Sequence, residues 1–168
     1  MNLIYSTIPD KHLRAIGLIT VNFSHLETYI EMGIWKLLGY EREQDVGKII
    51  TSELSFNNKV TLLKSLHDHL CDNEESKKEL KEIIRHTVKV ETERNKIIHS
   101  VYGVGENVEN IMRLKITAKR SKGLKYRTDY LSENNLIDRA DDFMLLAQKL
   151  LTFITNKKFP NPLQKSEI

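Results

Sequence analysis

The longest apolar period in the chain begins at Leu13 and ends at Leu38. Leu13, Ile16, Ile19, Phe23, Leu26, Ile30, Ile34, Leu37 and Leu38 recur at helical spacing, the signature of one buried helix face. Pro9 stands where a first helical turn tolerates it, and Gly39 stands where a helix ends. A long helix over about residues 10–39 is therefore predicted. Such a helix sets the expectation of a mainly helical fold, and the rest of the sequence is consistent with that.

After a polar connector, "YEREQDVG", and a short apolar stretch around Ile49 and Ile50, a second helix is predicted to start after Ser55. It carries Phe56, Val60, Leu63, Leu66 and Leu70 inward. Asp72 and Asn73 are turn or N-cap candidates for a third helix, which has acids in its first turn and runs to about Ser100. Beyond Gly103 the period changes to two. Met112, Leu114, Ile116 and Ala118 alternate with Arg113, Lys115, Thr117 and Lys119, which is strand periodicity. "RSKG" is the predicted turn and "LKYRTDYL" the returning strand, a hairpin over about residues 108–131. Ser132 and Glu133 open a final helix to about residue 157, burying Leu136, Phe143, Leu146, Leu150, Leu151 and Ile154. The tail from about residue 157 has two prolines and no period, and is expected to fray.

With 168 residues, no internal repeat and no linker, the expected organisation is one domain over residues 1–168. It is a mainly α helical bundle with a β-hairpin inserted before the C-terminal helix. Cys71 has no second cysteine to pair with, which fits a reducing compartment. No apolar run approaches a bilayer span, and the first residues lack the basic and apolar regions of a signal peptide. A cytoplasmic protein without membrane partners is expected.

Counting 100° per residue from Ile83 places Arg94 at about 20°, inside the apolar arc of the third helix. The same count from Ile16 places Glu27 at about 20° on the first helix. Burying a lone charge is costly, so two inward charges of opposite sign suggest a Glu27–Arg94 ion pair, which by itself is a structural device. His99 follows Arg94 by five residues, roughly 140° around the helix and about 7.5 Å along it. Side chains so placed do not converge on one small ligand inside a protomer, but they can line a groove between two copies related by a two-fold axis.

Arg94-Asn95-Lys96-Ile97-Ile98-His99 resembles the R-x-x-x-x-H motif of HEPN-domain proteins, with asparagine at the favoured position after the arginine. "VNFSHLETYIEMGIWKLLG" looks like the opening helix of that family with its inward glutamate, and "LSFNNKVTLLKSL" like the second-helix entry of its prokaryotic members. The resemblance covers most of residues 10–102. It implies a metal-independent endoribonuclease acting at a composite site in a homodimer, in the role of a toxin or phage-defence effector. It implies Arg94 and His99 as catalytic residues, with Asn95, Glu27, Ser100 and Tyr102 in support, and RNA as the substrate. It implies an antitoxin or other regulatory protein as a further partner. Where that antitoxin is a nucleotidyltransferase, a tyrosine follows the histidine after one residue. Here Tyr102 follows after two, so packing at the helix end is the competing reading of it.

Between residues 111 and 130, Arg113, Lys115, Lys119, Arg120, Lys122, Lys125 and Arg127 face a single acid, Asp129. That segment carries +6, leaving −3 for the rest of a chain whose net charge is +3. Interleaved with Tyr126 and Tyr130, these cations are candidate RNA contacts. The same charges also suit a solvated strand face that discourages edge pairing. His67 and Cys71 lie one helical turn apart, too few ligands for zinc. His12, His25 and His86 have no partner at ligand spacing and are expected at surface or boundary positions. No metal and no cofactor is expected, and no glycine-rich phosphate loop or serine-nucleophile motif is present. Two alternatives to the ribonuclease remain: a non-catalytic dimeric module binding RNA or a protein, and a nucleotide-sensing dimer.

Overall fold

The computed structural model describes residues 8–39, 44–104, 109–119 and 123–155. The chain is mainly α-helical with a small antiparallel sheet. In order, the elements are α1 (Asp10–Leu37), α2 (Gln44–Ser52), α3 (Phe56–Leu70), α4 (Glu74–Ile98), β1 (Val101–Val104), β2 (Asn110–Lys119), β3 (Gly123–Ser132) and α5 (Glu133–Thr155). No helix among the described residues is long and apolar enough to cross a membrane.

Helix boundaries fall where the local chemistry requires them. Gly39 adopts φ +78, the left-handed conformation that ends α1 at little cost. Ser55 caps α3 by accepting from the Asn58 amide at 3.3 Å. Asn73 Oδ1 accepts from the Ser76 amide at 2.9 Å at the start of α4, and Ser132 Oγ accepts from the Asn135 amide at 3.2 Å at the start of α5. The expected tail and the "RSK" part of the expected turn lie outside the described residues.

The chain divides into two compact units. The first comprises Met1–Val21 and Thr92–Asp142 and contains the three-stranded sheet, ordered β1-β2-β3. Val101 pairs with Leu114, and Met112, Leu114 and Ile116 pair with Tyr130, Thr128 and Tyr126. Its buried residues include Ala15, Ile19, Ile97, Ile111, Leu131, Leu136 and Ala140.

The second unit comprises Asn22–Glu91 and Phe143–Ile168. Phe23, Leu26, Ile30, Ile34, Val60, Leu63, Leu80, Ile83, Phe143 and Leu150 are buried in it. The Phe23 and Phe56 rings meet at 4.7 Å. α2 lies against Trp35, whose indole Nε1 donates to Thr51 Oγ1 at 3.3 Å. Gly47 is what permits that approach, because a Cβ there would stand 2.6 Å from the indole ring.

Five expectations are corrected. The connector before residue 53 contains a helix, α2, and residues 101–104 form a strand rather than helix or loop, so the hairpin is part of a larger sheet. His12 is completely buried instead of lying at the surface. The sheet also turns the other way from its hydrophobic pattern: Ile111 and Arg113 are buried while Ile116, Leu124, Tyr126 and Tyr130 are exposed. Leu13 and Leu70, expected inside, are exposed as well.

Candidate functional site

The polar residues that interrupt the end of α4 have a local task. The last carbonyls of a helix have no intrahelical donor. Here the His99 amide donates to the Asn95 carbonyl at 3.2 Å, the Ser100 hydroxyl to that of Lys96 at 2.5 Å, and the Tyr102 hydroxyl to that of Ile97 at 2.8 Å. The helix stops at Ile98, and the chain enters β1 two residues after His99. Ser100 and Tyr102 are therefore held as terminal caps. Burial pushes the Tyr102 phenol up to about 12, against the opposite pull of the Arg113 and Arg139 guanidinium groups.

Arg94 is half-buried, and its Nη1 donates to Asn95 Oδ1 at 3.0 Å, which restrains the guanidinium against its own helix. His99 is exposed just past the helix end. Arg94, Asn95, His99, Ser100 and Tyr102 thus belong to one short stretch of the first unit. Glu27 belongs to the second unit. The ion pair it makes within that unit is with Lys59, whose Nζ lies 2.8 Å from Glu27 Oε1 and 2.5 Å from Glu31 Oε1. Burial pulls the Lys59 pKa down, but the two carboxylates outweigh it and hold the ammonium above its ordinary value.

The cations of the sheet do not form one solvated face. Arg113 is buried, Lys115 is half-buried, and Lys125 and Arg127 are exposed. Lys119 closes β2, and Arg120 and Lys122 lie outside the described residues. Arg113 Nη2 donates to Asp129 Oδ2, and Arg127 Nε reaches Asp129 Oδ1 at 3.2 Å. Above all the Arg113 bond holds the Asp129 carboxyl below the usual range.

Arg113, Lys115, Lys125 and Arg127 line a cavity of about 570 Å³ in the first unit, together with Lys96 and Arg139. Glu93 and Asp129 are the acids on its wall. Six cations against two carboxylates make this a strongly positive enclosure. Sequence reasoning singled out four of the six. Lys96 sits inside the motif itself, but nothing in its spacing couples it to a strand residue. Arg139 carries no sequence signal for the role.

His67 and Cys71 line a separate cavity in the second unit. His67 Nε2 lies 3.0 Å from Ser76 Oγ, its ring is 5.4 Å from that of Phe153, and burial lowers its pKa. Among the described residues no three His, Cys, Asp or Glu side chains are grouped to hold a metal ion. Comparison with protein-family models, with curated proteins and with solved structures finds no match to this chain.

Proposed function

We propose that the chain is a HEPN-like, metal-independent endoribonuclease whose catalytic residues are Arg94 and His99. One observation carries the reading. The R-x-x-x-x-H stretch lies at the C-terminal end of α4, with the Arg94 guanidinium braced by Asn95 and His99 exposed just beyond the helix. A braced, permanently charged fork suits a phosphate, and an exposed imidazole suits proton transfer.

In this reading the RNA 2′-hydroxyl attacks the adjacent phosphorus as its proton leaves, forming the O2′–P bond. The P–O5′ bond breaks and the departing 5′-oxygen takes up a proton. The products are a 2′,3′-cyclic phosphate and a 5′-hydroxyl. Arg94 holds the charge that develops on the phosphorane, and His99 moves a proton, a contribution typically worth about 10²–10⁴ in rate. Because the two residues are separated by roughly 140° around the helix, the site is completed by a second copy of the chain. Cations of β2 and β3 draw in the RNA backbone. The toxin or phage-defence role and a regulatory partner protein belong to the same proposal.

The test is incubation of purified protein with single-stranded and structured RNAs in excess EDTA, beside folded Arg94→Ala and His99→Ala variants. Cleavage leaving 2′,3′-cyclic ends and lost in both variants is the expected result. Equal cleavage by the His99→Ala protein, or intact RNA with the wild-type dimer, would overturn the assignment. The second reading, a ligand-binding module without turnover, is favoured by the cationic cavity.

A further inference from the structure

Around the cavity bounded by β2, β3, the end of α4 and the start of α5, cationic side chains outnumber the carboxylates that meet them. Arg113 is only 7% exposed, and Asp129 accepts from just one of its nitrogens, Nη2. Its Nε and Nη1 have no open surface and meet no acceptor among the described residues, so a ligand reaches them only as the side chain shifts toward the cavity. Leaving a buried donor unpaired is costly, and more so when the group is charged. Buried polar groups in folded proteins are otherwise almost always satisfied. The excess extends beyond Arg113. Asp129 is already shared by Arg113 and Arg127, so Glu93 is the remaining carboxylate on the wall against Lys96, Lys115, Lys125 and Arg139.

We propose that this cavity binds a diphosphate group, with Arg113 as the ligand contact at its buried wall. Guanidinium forks pair with phosphoryl oxygens two at a time, and three of the six cations are arginines. A terminal phosphoryl group carries roughly −1.5 to −2 charges near neutral pH. With the single charge of an inner phosphoryl group added, an ester diphosphate carries roughly −2.5 to −3, against the four positive charges left when the two carboxylates are set against the six cations. One carboxylate or one phosphate would leave most of these donors unused. The cavity volume, about 570 Å³, falls within the roughly 300–1,000 Å³ of small-molecule sites, so an ester group fits beside the phosphates. Tyr126 also lines the cavity. The diphosphate comes either from a mononucleotide or from the 5′ end of an RNA strand. The inference rests on the chemistry of the cavity and not on the ribonuclease reading.

Isothermal titration of the full chain with pyrophosphate, a nucleoside diphosphate, and a short RNA bearing either a 5′-diphosphate or a 5′-hydroxyl tests this directly. Saturable binding of pyrophosphate at one site per chain is expected, weakened about tenfold or more in Arg113→Met, as loss of a charge-assisted bidentate contact requires. Arg113 is buried, so exposed Lys125→Ala provides a second variant that keeps the fold, with a several-fold loss expected. Tighter binding of the nucleoside diphosphate than of either RNA identifies the mononucleotide as the source. Preference for the 5′-diphosphate RNA over its 5′-hydroxyl form identifies the strand. Absence of saturable binding by all four ligands at low ionic strength overturns the proposal. So does binding that neither variant weakens. Loss of RNA cleavage in His99→Ala with pyrophosphate binding unchanged bears on the ribonuclease alone, so the two readings fail separately.

Discussion

Lys59→Met is the sharpest test of how the second unit is held together. The Lys59 side chain is 8% exposed and lies between two carboxylates on successive turns of α1, Glu27 at 2.8 Å and Glu31 at 2.5 Å. Methionine keeps most of the aliphatic stem, so the substitution removes charge rather than volume. A hydrogen bond to a charged group contributes about 1.5–3 kcal/mol when buried. Glu31, at 21% exposure, falls within that range. Glu27, at 35%, is screened by water and contributes less, about 1 kcal/mol at most. Relief from burying the ammonium offsets part of the loss, while repulsion between the two carboxylates one turn apart adds a few tenths of a kcal/mol, ~0.3. The net expected cost is about 2 kcal/mol.

With a urea slope of ~2 kcal/mol per molar, that cost lowers the midpoint of unfolding by about 1 M. Adding Glu31→Gln to Lys59→Met removes an uncompensated carboxylate and should restore about 1 kcal/mol, a non-additivity expected of side chains in direct contact. The sign with pH follows from the raised Lys59 pKa. Its contribution is fully present below the ordinary value of 10.5 and is lost as pH rises through the higher folded value. Stability of Lys59→Met within ~0.5 kcal/mol of wild type, or further loss on adding Glu31→Gln, would refute this account of the cluster.

Gly47→Ala would ordinarily strengthen a helix by up to ~1 kcal/mol, but its Cβ would stand 2.6 Å from the Trp35 ring. A loss of about 1–3 kcal/mol is therefore expected, read by thermal unfolding and by a shift in the emission of the single tryptophan. Because burial lowers the His67 pKa, its neutral form is favoured in the fold. Stability should hold above pH 6.5, the ordinary value, and decline as pH falls from there through the lower folded value, a slope that His67→Gln should remove. Tyr102→Phe should cost about 1 kcal/mol by freeing the Ile97 carbonyl. Ultraviolet titration should find a phenol ionising near 12 in the wild type that is absent from the variant.

Helix ends were legible because their determinants are local. Ser55, Asn73, Ser132 and Gly39 act within a few residues of themselves. α2 was not legible because its buried residues are Gly47 and Thr51, while Val46, Ile49 and Ile50 are exposed. Its place depends on Trp35 rather than on an apolar stripe. The third helix, predicted to about Ser100, ends at Ile98. Whether a helix ends there is decided by which donors take its last carbonyls, and Ser100 and Tyr102 take two of them. The Glu27–Arg94 pairing argument located an inward carboxylate correctly as half-buried. Within the second unit that carboxylate meets Lys59 on α3, a cation the angle count did not include.

The sheet carries the more consequential lesson. A period of two states that the faces of a strand differ, but not which of them is covered, and a flip of one residue exchanges every side chain. Met112, Leu114 and Ile116 read as the inner face, yet Ile111 and Leu131 are the completely or nearly buried pair and are partners across β2 and β3. Alternation from that pair forces Arg113 and Asp129, themselves partners, onto the covered side. Their ion pair makes the burial of Arg113 tolerable, but it occupies only one of that residue's three nitrogens. A cationic strand meant only for solvent would have no reason to keep a guanidinium inside, and a purely structural pair would not need five more cations around the same void. The inverted face therefore argues for a ligand, and it does so through Arg113, a residue apart from the Arg94 and His99 on which the ribonuclease reading stands.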